Sequence, residues 1–491
     1  MIKDVLEDSA KYLPSYVVPA VLGIVAIPIV TRLFAPGEYG GYVLVMTVLS
    51  ILSAIATTWL CGSITRFYPV YKLDNRIEEF HGTIIELTLI SVAATSILAL
   101  SILYVVGGRA SPSFYHLMRI GLLVFIPTSV FDVLLTNLRI KRQITWYSYL
   151  MIWRSVAGLS VGVGIVIVFH RGIEGLLWGS FLSTAIVLPL LWRIAMGKSS
   201  FQKASIHSPM TSEIAKYGLP VIAVNLLSWI MVLSDRYVVG LFRGSEEVGI
   251  YSVGCAIPEG SVLAIVSLVA LASGPIAYNI WEKQGVEASR IFLTKVTRYY
   301  LLIGLPATVG LTMLSKPIMC IFTTSAYFPG YKVIPPVAFG VFLLGINRRF
   351  GTVLCYYRKT NLVMFCYLIC AGLNLGLNFL LVPKYGYIAA AATTFIAYAT
   401  SALILIVVSR HFLVWQFPFK SLGRIVLASA VMSIIVYHLG HSLTGSNLIN
   451  LIMRIGTGGV AYSVVLLLLR ELRPEEIREA GALASKVLKL R

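Results

Sequence analysis

PVIAVNLLSWIMVLSDRYVVGLFRGSEEVGIY, residues 220–251, decides the fold. Its opening run from Pro220 to Leu233 is apolar and of transmembrane character. Asp235 and Arg236 then stand side by side, ahead of Tyr237-Val-Val-Gly240-Leu-Phe242 and a short polar turn. An ionised group inside a membrane-length segment costs about 2.5–3.5 kcal/mol on insertion scales, so it faces a bundle interior or a wet cavity. The stretch is also a restart. Leu241-Phe242, a turn and Gly249-Ile-Tyr251 echo Leu33-Phe34, a turn and Gly40-Gly41-Tyr42. A second copy of the fold begins here, carrying charge that the first copy lacks at that depth.

Composition agrees with a membrane bundle. Hydrophobic residues are 58% of 491 positions, charged residues only 12%, and the mean hydropathy is +0.85. Many windows exceed the length of a membrane span without a charge, which excludes a soluble domain. The six cysteines lie in or beside apolar segments and form no CxxC pair, so neither a disulfide framework nor a thiolate metal site is expected. The first thirteen residues have three acids and no apolar core, which argues against a cleavable signal peptide.

The expected fold is all-α and integral to the membrane, with fourteen transmembrane helices. A short amphipathic surface helix (Ile2, Val5, Leu6, Tyr12, Leu13) precedes them, and a Pro-started surface helix over Pro474–Leu488 follows. Lys and Arg counted at the span ends give orientation. Twenty-seven of the forty fall on the side holding both termini and only seven on the other, so both termini are expected to be cytoplasmic in a plasma (inner) membrane. Topology thus accounts for most of the net charge of +19, and nucleic acid is not needed to explain it. The remaining six, Arg119, Arg154, Arg236, Arg348, Arg349 and Arg454, fall within or at the edges of spans.

An internal repeat sets the domains. Ala157-Gly158-Leu-Ser160-Val-Gly162 matches Ala371-Gly372-Leu-Asn374-Leu-Gly376 at an offset of 214, which also pairs Gly172 with Gly386. Six spans per copy is even, so the copies are parallel repeats about an axis along the membrane normal. The expected division is residues 1–200 (surface helix and spans 1–6), 201–412 (spans 7–12) and 413–491 (two extra spans and the tail). The Gly-xxx-Gly pairs serve close helix approach, and Pro19 and Pro28 around Gly23 predict a kink in the first span.

The arginines near spans carry the functional reading. Arg66, Arg154, Arg348 and Arg349 fall in the inner half of the membrane, and Arg236 and Arg32 in the outer half. Arg suits bidentate phosphate contact and keeps its charge in a low dielectric. Cations at both depths suit an amphiphile with a pyrophosphate head, with Asp235 beside them. Arg66 and Arg32 have a second reading as snorkelling residues, and Arg236 as the partner of Asp235 or another acid. Among the acids near spans, Asp235, Glu259, Glu86 and Asp132, Glu259 beside Pro258 is the candidate for ion coupling. Gly158-Leu-Ser160-Val-Gly162 formally matches a nucleophile elbow but lies mid-span, not on a strand–turn–helix. With no Walker motif or acidic metal cluster either, no catalytic residue, metal or cofactor is expected.

Pro28-Ile-Val-Thr-Arg32-Leu-Phe-Ala-Pro36-Gly-Glu38-Tyr39-Gly40, Ser63-Ile-Thr-Arg66-Phe-Tyr68-Pro69 and Asn374-Leu-Gly-Leu-Asn378-Phe-Leu-Leu-Val-Pro383-Lys384-Tyr385-Gly386 resemble polysaccharide flippases. Those flippases belong to the multidrug/oligosaccharidyl-lipid/polysaccharide (MOP) exporter superfamily. The resemblance covers about residues 10–410. It implies two six-helix lobes around a central cavity and alternating access. It further implies export of lipid-diphosphate-linked oligosaccharide units for cell-surface polysaccharides such as O-antigen, with membrane lipids and a polysaccharide polymerase as partners. Drug-exporting relatives place an acid in the first span, where this chain has Thr31-Arg32. The rival on the same fold is a cation-coupled multidrug or metabolite exporter, which needs an acid-lined cavity. A membrane glycosyltransferase or polymerase would need larger outer loops than this chain has.

Overall fold

The computed structural model describes residues 2–107, 111–197, 209–442 and 447–472, and within them the chain is helical. The tail expected over Pro474–Leu488 lies outside the described residues. In chain order the helices are α1 (Ile2–Leu33), α2 (Pro36–Leu73), α3 (Ile77–Val106), α4 (Pro112–Ile140), α5 (Ile144–Val168), α6 (Glu174–Met196) and α7 (Pro209–Arg243). They continue as α8 (Ser245–Met313), the short α9 (Ser315–Phe322), α10 (Ile334–Tyr356), α11 (Thr360–Tyr385), α12 (Tyr387–Arg410), α13 (Phe419–Ser442) and α14 (Asn447–Leu468). The amphipathic start over Ile2–Leu13 is not a separate element but the beginning of α1. Eleven of these helices are long and apolar enough to cross a membrane. The protein is a multi-pass membrane protein. A total of fourteen would require α1, α7 and a second crossing from α8 in addition.

Local chemistry sets the boundaries. Pro36 opens α2, and the Glu38 carboxylate accepts the Ala35 backbone N–H at 3.0 Å, closing the exposed first turn. Ser111 caps α4 by accepting from the Phe114 N–H, with Pro112 at the first helical position. At 69 residues α8 would be about 100 Å long if straight, far beyond the roughly 30 Å of a hydrocarbon core. It is broken at Gly285, whose φ of 77° lies where a side chain would be strained.

Helix pairing repeats along the chain. In the first half α2 packs on α4, α4 on α6, α5 on α6 and α1 on α5; in the second, α8 packs on α10, α10 on α12, α11 on α12 and α7 on α11. The halves meet where α2 lies against α7 and α8, and α1 against α8. Backbone meets backbone at one end of that seam: a methyl group on Gly40 would overlap the Ser245 carbonyl, and one on Gly249 the Pro36 carbonyl. At the other end the Tyr71 hydroxyl donates to Glu213 at 2.6 Å, and Ser63 donates to the Ile214 carbonyl at 3.3 Å. The α13–α14 pair stands outside the repeat and leans on α8 through α13.

Candidate functional site

The first half encloses a cavity of about 650 Å³ between α2, α4, α5 and α6, with Trp229 of α7 on its wall. Hydroxyls dominate its lining, among them Ser53, Thr57, Thr128, Thr136, Ser155 and Thr184. Thr57, Thr136 and Ser155 donate to carbonyls one turn back, which leaves their oxygens as acceptors. Arg154 reaches this space from α5, but it is not a lone cation. Its Nη1 donates to the Asp132 carboxylate at 2.5 Å, and the guanidinium lies 5.3 Å from the Phe131 ring centroid. Asp132 thus offsets Arg154, while Arg139 on the same wall leaves the lining with one cation more than carboxylates.

In α7 the neighbours Asp235 and Arg236 turn to different partners, because successive side chains on a helix are about 100° apart. Arg236 is buried and donates to Glu259 on α8 at 3.2 Å. Asp235, 2% exposed, accepts only from neutral groups in the contacts seen: Tyr251 hydroxyl at 2.9 Å, Asn378 amide at 2.6 Å, and the Thr394 hydroxyl. Thr393 donates to Asn378 at 2.6 Å, and the Asn378 amide also lies 3.2 Å from the Asn374 carbonyl oxygen. Four helices thus converge on one buried carboxylate, with Asn and Thr oxygens beside it. An unneutralised carboxylate is costly in such a place, and this oxygen-rich set suits a proton or a small hard cation.

Arg348 and Arg349 line a second cavity of about 310 Å³, formed by α8, α10 and α11. No carboxylate lines it. Arg349 is 5% exposed. Its Nη1 donates to Ser273 at 3.0 Å and its guanidinium sits 5.8 Å from the Tyr300 ring centroid. The Nε and Nη2 groups are buried with no acceptor among the described residues. Buried guanidinium N–H groups are normally satisfied, so these enclosed donors leave the Arg349 charge without a carboxylate among the described residues.

The seven arginines and acids singled out from the sequence as site residues therefore do not share one chamber. Arg154 lies in the first cavity, Arg348 and Arg349 in the second, and Arg236 pairs with Glu259 in neither lining. Arg66 is exposed on α2, as a snorkelling residue would be, and Asp235, although next to Arg236, takes its hydrogen bonds from Tyr251, Asn378 and Thr394 instead. Sequence reasoning missed Asp132 as the partner of Arg154, and the neutral donors around Asp235. A signal for the latter was present: Asn374 and Asn378 are one helical turn apart within a span, followed by Thr393-Thr394.

The sequence profile of the family described as "Polysaccharide biosynthesis protein" matches residues 29–330. Among curated proteins, the chain is 25% identical over 63% of its length to "Uncharacterized membrane protein MJ1068" of Methanocaldococcus jannaschii, and spans 61% of that protein. It is 22% identical to "Probable low-salt glycan biosynthesis flippase Agl15" of Haloferax volcanii, over 69% of this chain and 68% of that one. Among solved structures, "Lipid II flippase MurJ, inward closed conformation" superposes with a TM-score of 0.78 at 16% identity, covering 95% of this chain and 99% of that one. At that identity the likeness is one of fold.

Proposed function

The chain belongs to the polysaccharide biosynthesis protein family, and from that premise we propose that it flips polyprenyl-diphosphate-linked oligosaccharide units from the cytoplasmic to the outer leaflet. The observation that carries the anionic head group is Arg349, a buried guanidinium with two unused donors beside a cavity without carboxylates. Unaided, such a molecule crosses poorly, because its sugars and diphosphate would enter hydrocarbon without hydrogen-bond partners. In this mechanism Arg348 and Arg349 hold the diphosphate by charge-assisted hydrogen bonds, and the hydroxyl-lined first cavity takes the sugars. The two halves, residues 1–200 and 201–412, rock about the α2–α7–α8 seam in alternating access.

Ion coupling fits Asp235 better than Glu259. Glu259 is engaged with Arg236, whereas Asp235 takes its hydrogen bonds from neutral groups among the described residues and gains most from a bound cation. A cation moving through 100 mV supplies about 2.3 kcal/mol per charge. The second reading is a cation-coupled multidrug or metabolite exporter. It is favoured by the Arg154–Asp132 and Arg236–Glu259 pairs, which cancel charge that a flippase could have used.

Translocation of a labelled lipid-diphosphate head group in proteoliposomes separates the two. Arg349→Ala is expected to slow it by roughly 100-fold, the scale of a lost buried charged contact of about 2–5 kcal/mol. A normal rate in that variant, or transport of organic cations in preference to the lipid, would favour the exporter.

A further inference from the structure

The α13–α14 pair completes a third cavity that neither six-helix half contains. It measures about 850 Å³ and is walled by the second arm of α8, the segment Val414–Pro418, the start of α13 and the end of α14. Five cations line it, Arg290, Lys295, Arg298, Arg424 and Arg470, against two carboxylates, Glu287 and Glu471. Glu471 is 3% exposed and accepts from Arg298 at 2.7 Å and from Arg424 at 3.0 Å. Glu287 accepts from Arg290 at 3.1 Å. The carboxylates are thus already engaged, and the wall keeps an excess of positive charge.

Trp415 supplies an independent observation. Its side chain is buried to 8% exposure on the cavity wall, and its Nε1–H finds no acceptor among the described residues. A buried indole N–H ordinarily has a hydrogen-bond partner. On the same wall the Gln416 carbonyl accepts the Thr294 hydroxyl at 2.8 Å. An excess of donors and positive charge calls for a ligand with several acceptor oxygens. The rim is also apolar, since Ile291 and Val414 are 53% and 64% exposed. This suits an amphiphile rather than a free ion.

We propose that this cavity binds the phosphate of a lipid head group, at a site separate from the transport cavities. Lys295 and Arg470 supply charge from the rim, and the wall yields enough on binding for the enclosed Trp415 indole N–H to donate to a phosphate oxygen. The bound lipid then joins α14 to α8 at the ends of the helices.

The test uses the full chain in nanodiscs of phosphatidylcholine, with and without phosphatidylglycerol, and native mass spectrometry to count retained lipid. Wild type is expected to keep phosphatidylglycerol selectively. Trp415→Phe, which keeps the ring and removes the donor, and the rim pair Lys295→Ala/Arg470→Ala should each lower that retention roughly tenfold. Thermal melting of each variant reports whether its fold is intact. Competition with free pyrophosphate distinguishes the source. Displacement at low concentration supports a soluble phosphate at the same cradle, and selectivity that survives it supports the lipid head. Equal retention of phosphatidylcholine, or unchanged retention in both variants, overturns the proposal. None of these readouts depends on glycan transport, so its failure and that of the flippase reading are distinguishable.

Discussion

Where α5 crosses α6, glycine meets glycine; where α11 crosses α12, amides and hydroxyls meet a carboxylate from α7. A Cβ on Gly179 would overlap the Gly162 backbone, whereas Gly372 and Gly376 have nothing within reach. Positions 214 residues apart show the exchange: Ser160 corresponds to Asn374, Gly164 to Asn378, Gly179 to Thr393 and Ser180 to Thr394. The same pair of helices is a close backbone contact in one half and a polar cage around Asp235 in the other. The cavities differ in parallel: Arg154 of the first half is paired with Asp132, whereas Arg349 of the second has no carboxylate partner among the described residues. The two halves share one pattern of helix packing and differ in side-chain choice at a few positions.

The largest effect should come from the polar side of this comparison. Asp235→Asn keeps the shape and removes the charge, and should slow gradient-driven head-group translocation by roughly 100-fold. Rates measured with and without an imposed sodium or proton gradient check it. Gradient dependence that survives would move coupling elsewhere, to Glu259 first. On the glycine side, Gly179→Ala forces the α5–α6 crossing apart and should cost about 1–3 kcal/mol of stability. Gly372→Ala, in open space, should instead gain about 0.5–1 kcal/mol. Thermal melting of the two variants side by side would expose a false distinction if both lost stability.

Smaller still is the ion pair of the first cavity. Arg154 and Asp132 are about a third exposed, so solvent screens them and their coupling should be about 1 kcal/mol in a double-mutant cycle. A coupling near zero would leave Arg154 available to substrate and make the two halves more alike than they look. The smallest effect concerns Glu471, outside the spans. Burial alone would raise its carboxyl, but hydrogen bonds from Arg298, Ser421 and Arg424 outweigh this and hold it below the usual range. A lowered carboxyl adds stability that is complete above its unfolded value, about 4.3, and is lost as pH falls through the folded one. Amide protection at the end of α14, taken relative to the intrinsic exchange rate at each pH, should therefore fall on acidification, and Glu471→Gln should remove that dependence.

Much of the fold was legible because membrane spans announce themselves as apolar runs and α2 announces its start with Pro36 and Glu38. The repeat was legible too, yet the Gly-xxx-Gly motif meant different things in its two copies. Spacing shows that Gly372 and Gly376 share a face, but only the neighbouring helices decide whether that face is in contact. The site was harder to read. Asp235 and Arg236 are adjacent in sequence, and adjacency suggests a pair. On a helix it means divergence, and their partners lie as far away as Glu259, Asn378 and Thr394. Arg349 could be singled out as a cation near a span, but not as one lacking a carboxylate partner, which depends on what three helices fail to bring near it.

Gly285 makes a structural decision for the whole second half. No neighbouring atom would obstruct a side chain there, so its constraint is one of backbone handedness alone. Were that residue to adopt ordinary right-handed geometry, the arms of α8 would fuse into a rod more than three bilayer cores long. One arm would then be drawn out into water, taking with it the surface on which α13 rests. A single dihedral angle therefore acts as the chain's folding instruction to turn back into the lipid, with the Ser289 hydroxyl donating to the Gly285 carbonyl at 2.9 Å beside it.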